Sequence, residues 1–69
     1  MNVVGPQVRQ LRETQRMTQE EFTARCNIMG FNISRSTLAK IESQVRRVTD
    51  DEVALLAKAL KVSVDILYR

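Results

Sequence analysis

Apolar residues recur at the spacing of an α-helix in four stretches of this chain. Within each stretch most of them stand three or four positions apart, which places them on one side of a helix. No stretch alternates strictly between apolar and polar residues, so we expect no β-sheet. The four apolar sets are Val4, Val8 and Leu11; Phe22, Cys26 and Met29; Leu38 and Ile41; and Val53, Leu56, Ala57 and Leu60.

Two capping boxes mark where helices begin. Thr18 is followed three residues later by Glu21, and Thr49 by Glu52. In such a box the threonine hydroxyl accepts a hydrogen bond from the backbone of the glutamate, whose carboxylate accepts one from the backbone of the threonine. The predicted second and fourth helices run over about 18–29 and about 50–60.

Single residues mark the remaining helix ends. Pro6 opens the first helix, because proline suits the first turn. Ser34 and Ser63 are candidate N-caps for the third helix and for a last short turn of helix. Gly30 ends the second helix as a left-handed terminator. The chain is therefore predicted to be all-α.

The composition is that of one small folded domain, which we take to be residues 1–69. Lysine and arginine number 11 against 8 acidic residues, which leaves a net charge of +3. The basic residues concentrate in residues 1–19 and 34–49, whereas the acids collect at predicted helix starts. These basic stretches favour an anionic partner such as nucleic acid.

Several classes of protein are disfavoured by what the sequence lacks. With one cysteine and no histidine, it has no pair for an internal disulfide and no usual zinc ligand set. Cys26 stands at an apolar helix position, which favours a small buried hydrophobe over a reactive thiol. Without a histidine base or a glycine-rich phosphate loop, we predict no enzyme activity, no cofactor and no small-molecule substrate. The longest apolar run, Val53 to Ala57, is too short to span a membrane and no signal peptide is evident, so we expect a cytoplasmic protein.

The second and third predicted helices are joined by a turn that contains Gly30. Helices joined in this way are typical of the helix-turn-helix, whose second helix lies in the DNA major groove. On the third helix, an arc of about 140° carries neither a large apolar residue nor an acid, as a base-reading face requires. An ordinary solvent-exposed helix face is the alternative interpretation. The arc comprises Arg35, Ser36, Ala39, Lys40 and Ser43.

Three motifs together resemble the Cro and phage-repressor type of helix-turn-helix, also called the lambda-repressor-like or XRE family. They are MTQEEF at 17–22, SRSTLAKIE at 34–42 and LLAKALKVSVDIL at 55–67, and the resemblance covers residues 6–68. It implies a compact all-α bundle of five helices. It also implies a transcriptional regulator that binds double-stranded DNA as a homodimer.

The resemblance implies roles for individual residues. The positions that match base contacts are Arg35, Ser36 and Lys40. Those that match contacts to the DNA backbone are Gln19, Ser34, Thr37, Gln44, Arg46 and Arg47, with Arg9 as a further candidate. Arg12 and Glu42 match an arginine and a glutamate that pair inside the fold.

The sequence departs from the family pattern at two places. Residues 27–33 add about five residues to the usual short turn between the second and third helices. Lys61 follows the fourth helix, where the family often has glycine. A left-handed lysine at this position would cost roughly 1 kcal/mol relative to glycine.

We therefore interpret the chain as a sequence-specific, non-enzymatic regulator of transcription, with repression as the favoured action. Leu55 and Ala59 lie off the apolar stripe of the fourth helix and leave apolar surface to explain. Together with Ile66 and Tyr68 they form the predicted dimer surface. The same surface supports a second interpretation, a protein-interaction module such as the DNA-docking antitoxin half of a toxin–antitoxin pair.

Overall fold

Five α-helices follow one another along residues 2–69, the part of the chain that our computed structural model describes. No strand occurs in that part, which confirms the all-α prediction. The helices are α1 at Gly5–Thr14, α2 at Gln19–Ile28, α3 at Arg35–Glu42, α4 at Asp50–Leu60 and α5 at Val64–Leu67.

Both predicted capping boxes are present. The hydroxyl of Thr18 accepts from the backbone N–H of Glu21 at 3.0 Å, and the Glu21 carboxylate accepts from the backbone N–H of Thr18 at 2.8 Å. Thr49 and Glu52 form the same two bonds at the start of α4, at 3.2 and 3.0 Å. These reciprocal bonds satisfy N–H groups that a helix start otherwise leaves unpaired, which is why both starts were predicted correctly.

The two serines predicted as N-caps behave differently. Ser34 caps α3 as expected, because its hydroxyl accepts from the backbone N–H of Thr37 at 3.1 Å. Ser63 stands at the N-cap position of α5, but its side chain makes no capping hydrogen bond. The cap predicted for this last turn was therefore wrong, although the helix itself forms. Leu67 is buried and attaches this short helix to the core.

The first four helices are each followed by a residue in the left-handed region. These residues are Arg16, Gly30, Gln44 and Lys61, with φ between 59° and 91°. In each case the N–H of the following residue bonds back to a carbonyl oxygen of the last helical turn. Gly30 and Lys61 were predicted, whereas Arg16 and Gln44 were missed because neither residue type signals this conformation. Each non-glycine residue there costs about 1–2 kcal/mol, which the packing of the fold must offset.

One apolar core joins the helices. Cys26 has no exposed surface in this core, and burial raises the pKa of its thiol to about 11. The side chain therefore behaves as a small buried hydrophobe. The core consists of Val4, Val8, Phe22, Cys26, Phe31, Ile33, Leu38, Ile41, Val53, Leu56, Ala57, Ala59, Leu60 and Leu67.

One residue of the predicted dimer surface, Ala59, lies inside the fold. It is 1% exposed and belongs to the core, so that prediction was wrong for this residue. The physical reason is that α4 packs against α1, α2 and α5, so a second side of the helix is covered. Arg25 of α2 also donates to the carbonyl oxygen of Ala59 at 3.2 Å. Leu55 is half-buried against the same core and offers only part of its side chain to a partner.

The long turn between α2 and α3 is ordered by its own contacts. Phe31 folds back into the core, and its N–H donates to the carbonyl oxygen of Cys26 at 2.9 Å. The amide of Asn27 donates to the carbonyl oxygens of Phe31 and Ile33, both at 3.1 Å. The additional residues therefore form an ordered cap at the end of α2.

None of the helices in the described chain has the length and apolar character needed to cross a bilayer.

Candidate nucleic-acid interface

Helix α3 has one side in the core and the other at the surface. Leu38 and Ile41 have no exposed surface, and they anchor the helix on α1 and α2. Ala39 is half-buried at the edge of the outer side. The structure places the predicted base-reading residues together on this outer side. The exposed residues are Arg35, Ser36, Lys40 and Ser43.

A buried ion pair ties α1 to the end of α3. Nε of Arg12 donates to Oε2 of Glu42 at 2.7 Å, and Nη2 donates to Oε1 at 3.2 Å. Nη1 of Arg12 donates to the carbonyl oxygen of Met17 at 2.7 Å. The two side chains are 9% and 4% exposed. The hydrogen bond to Glu42 raises the pKa of Arg12.

Gln19 extends this pair to the start of α3. Its Nε2 donates to Oε1 of Glu42 at 3.0 Å, and its Oε1 accepts from Nη1 of Arg35 at 3.3 Å. We name Arg12, Gln19, Arg35 and Glu42 the polar bridge. The polar bridge therefore links both ends of α3 to α1 and α2, although the turn before α3 is long. The sequence did not indicate the two bonds of Gln19, since they join residues 23 and 16 positions apart.

An open pocket of about 380 Å³ lies beside the outer side of α3. Arg9 contributes a cation to it and pairs with Glu13 at 3.3 Å, with both side chains more than half exposed. An exposed ion pair of this kind contributes little to the stability of the fold, so Arg9 can exchange Glu13 for another anion. The pocket is lined by Arg9, Arg12, Gln19, Ala39, Glu42 and Ser43.

Three hydroxyl groups cluster at the start of α3. The Ser34 hydroxyl lies 3.2 Å from that of Ser36 and 3.0 Å from that of Thr37. Ser34 and Ser36 are exposed and Thr37 is half-buried. Hydroxyls and backbone N–H groups at a helix start are suitable donors to an anionic oxygen.

Two residues of the loop between α3 and α4, residues 43–49, that were predicted to contact the DNA backbone also have partners within the fold. Nη1 and Nη2 of Arg46 donate to the two carboxylate oxygens of Glu52, at 3.1 and 2.8 Å. This contact raises the pKa of Arg46 and lowers that of Glu52. Nε2 of Gln44 donates to the carbonyl oxygen of Asn2 at 2.8 Å. Both side chains therefore have partners within the fold, and exposed Arg47 is the loop residue best placed to meet a phosphate.

The C-terminal part of the predicted dimer surface remains at the surface. Tyr68 is 52% exposed and Ile66 is half-buried. Tyr68 also lines a smaller pocket of about 180 Å³ together with Val3 and Val48. Ile66 and Tyr68 are thus available to a partner, unlike Ala59.

These features define a helix-turn-helix protein. The family model described as helix-turn-helix, of the Cro and phage-repressor (XRE) type, matches residues 8–67. The chain belongs to this family, has its lambda-repressor-like fold, and by that membership binds DNA. Neither a curated protein nor a solved structure gives a significant match.

No group of three or more histidine, cysteine, aspartate or glutamate side chains that could hold a metal ion occurs within residues 2–69.

Proposed function

We propose that the protein is a sequence-specific transcriptional regulator, acting as a repressor, that inserts α3 into the DNA major groove. The observation that carries the proposal is the outer side of α3, which has cations and hydroxyls without an acid. The polar bridge bonds to the first and last residues of this helix, which favours a helix that is already in position when DNA binds. The proposal describes a non-enzymatic protein, residues 1–69 acting as one domain, in the cytoplasm of a bacterial or phage-infected cell.

In this proposal, base reading and phosphate contact are carried by different residues. Arg35, Ser36 and Lys40 meet base edges, with arginine suited to the two acceptors of guanine. The phosphates are contacted around the same helix by Gln19, Ser34, Thr37, Arg9 and Arg47. Gln44 and Arg46 support the loop that carries Arg47.

Salt dependence tests the phosphate contact proposed for Arg47. Arg47→Ala should weaken binding to random and preferred duplexes alike, because phosphates carry no sequence information. The plot of log affinity against log salt should become shallower by about one unit. Titrations of parent and variant at several salt concentrations measure both effects.

Lys58→Ala is the matched control, since it removes one exposed cation from α4, which packs against α1, α2 and α5. If the two variants have the same salt slope, Arg47 makes no phosphate contact.

We further propose that the protein acts as a homodimer, because one helix-turn-helix reads few base pairs and paired half-sites lie one helical turn apart. Ile66 and Tyr68 are proposed to lie in the interface. Tyr68→Glu should weaken dimerisation by about 30-fold, the effect of losing an interface hot spot of about 2 kcal/mol. Sedimentation velocity of parent and variant, free and on a palindromic duplex, provides the measurement. A parent that sediments as a monomer in both states would contradict the dimer.

A protein-interaction module remains the second candidate function. Its support is the set of large apolar side chains that are exposed in residues 2–69, which are Val3, Ile28, Val45, Val64 and Tyr68. The antitoxin half of a toxin–antitoxin pair is the example we propose. Titration of the chain alone with a duplex selected from a random library and with random duplex, at low and high salt, separates the two candidates. The regulator requires the chain alone to bind the selected duplex much more tightly than random DNA, whereas the interaction module requires its partner protein for tight binding.

A further inference from the structure

Asn2 is a buried polar residue far from α3 in the sequence but in contact with its C-terminal end. Only 7% of it is exposed. Its Nδ2 donates to the carbonyl oxygens of Ile41 and Arg46, at 3.0 and 2.8 Å. Its Oδ1 accepts from the N–H of Gly5 at 2.6 Å. One side chain thus joins the start of α1 to the last turn of α3 and to the α3–α4 loop.

The neighbouring backbone is built for this close approach. A β-carbon at Gly5 would collide with the carbonyl oxygen of Ile41 and crowd Oδ1 of Asn2. Only glycine therefore lets the start of α1 pack directly on the backbone of α3. The contact holds Asn2 and Gly5 in one place relative to the loop.

Asn2 also supports a strained residue of the loop. Gln44 has φ of 69°, a conformation that is unfavourable for a residue with a β-carbon. Its side chain donates to the backbone oxygen of Asn2, while Nδ2 of Asn2 holds the carbonyl oxygen two residues further on, at Arg46. The two bonds bracket the turn immediately before Arg47. The conformation of this turn determines the position and direction of the Arg47 side chain at the surface.

We propose that Asn2 is a positioning residue for DNA binding, which holds the α3–α4 loop in the conformation that places Arg47 against a phosphate. The inference rests on the proposed function, and Asn2 itself need not touch DNA. Without the anchor, the loop would have to be ordered on binding, and that ordering weakens affinity.

Asn2→Asp tests the proposal with little change in shape. The aspartate can still accept from Gly5 but cannot donate to Ile41 and Arg46. Val3→Asp is the matched control, because it adds the same charge at an adjacent residue that is 69% exposed. Asn2→Asp should bind duplex DNA about 5- to 10-fold more weakly than Val3→Asp, the effect expected from ordering one or two side chains on binding. Equal affinities of the two variants would overturn the proposal.

A double-mutant cycle separates positioning from a general effect on the fold. Arg47→Ala should weaken binding less in the Asn2→Asp background than in the parent, since Arg47 is already misplaced there. A merely structural role predicts additive effects, and additivity would overturn the proposal. Amide hydrogen exchange in residues 43–49, measured without DNA, should accelerate in Asn2→Asp and not in Val3→Asp.

The same experiment distinguishes the two possible failures. If the parent binds no duplex, the proposed function has failed, and the positioning role with it. If the parent binds duplex DNA and the two aspartate variants bind it with equal affinity, only the inference about Asn2 has failed. Should Asn2→Asp not fold, Asn2→Ala with Val3→Ala as its control makes the same comparison, because water can then hydrate the two carbonyl oxygens.

Discussion

Replacing Glu42 by alanine should leave about half of the protein unfolded at 25 °C and neutral pH. The substitution would leave the guanidinium of Arg12 buried without its counter-charge and remove the acceptor of Gln19. Breaking a buried pair in this way costs about 3–5 kcal/mol. A domain of this size has a net stability of only about 3–5 kcal/mol. Far-UV circular dichroism during urea titration measures the decrease in the free energy of unfolding.

Glu13→Ala provides the control for this prediction. It removes a carboxylate that also pairs with an arginine, Arg9, but at an exposed site. Such a pair contributes about 0–1 kcal/mol, so the urea midpoint should hardly move. Equal midpoints for Glu42→Ala and Glu13→Ala would show that the buried pair does not stabilise the fold.

A double variant tests the cause of the loss. Arg12→Met combined with Glu42→Leu removes both charges and keeps similar volume. It should recover part of the stability, because a buried charge without a partner is the main cost. If the double variant is no more stable than Glu42→Ala, the loss comes from the hydrogen bonds of the polar bridge.

Arg35→Ala should lower affinity for the preferred duplex by about 1–3 kcal/mol and affinity for random DNA much less. Arg35 is exposed at the start of α3, where Oε1 of Gln19 accepts from its guanidinium. This bond limits the directions that the side chain can take before DNA arrives. The preferred duplex is first selected from a random library, and both DNAs are then titrated at one salt concentration.

Lys58→Ala again serves as the control, since it removes a cation without touching α3 or the polar bridge. Its effect on the two DNAs should be equal and small. If Arg35→Ala also weakens binding to both DNAs equally, α3 is not the element that reads the sequence. That result would contradict sequence-specific binding through α3, but it would leave DNA binding itself in place.

The helices could be predicted because their signals are local. The bonds of the capping boxes at Thr18 and Thr49 join residues three positions apart, and the apolar stripes repeat every three or four. The left-handed residue after α4, Lys61, was also predicted, but only because the family resemblance points to glycine there. Gln44 adopts the same conformation although its residue type does not indicate it, and its side chain bonds to Asn2, 42 residues away.

The candidate site was predicted unevenly for a related reason. Arg35, Ser36 and Lys40 share one side of a single helix, so helical periodicity was enough to group them. The pair of Arg12 and Glu42 came from the family resemblance, and the structure contains it. No pattern along the chain indicated that Gln19 would connect this pair to Arg35.

The sequence by itself determined where the helices begin and which side of α3 is polar, because those properties depend on neighbours within about one helical turn. Only the tertiary structure decided which partner each polar side chain takes. Arg46, which was predicted to contact a phosphate, donates to Glu52 within the fold, and Ala59 is covered by the packing of α4 against other helices. These outcomes depend on how elements distant along the chain pack together, a geometry that spacing within one helix does not contain.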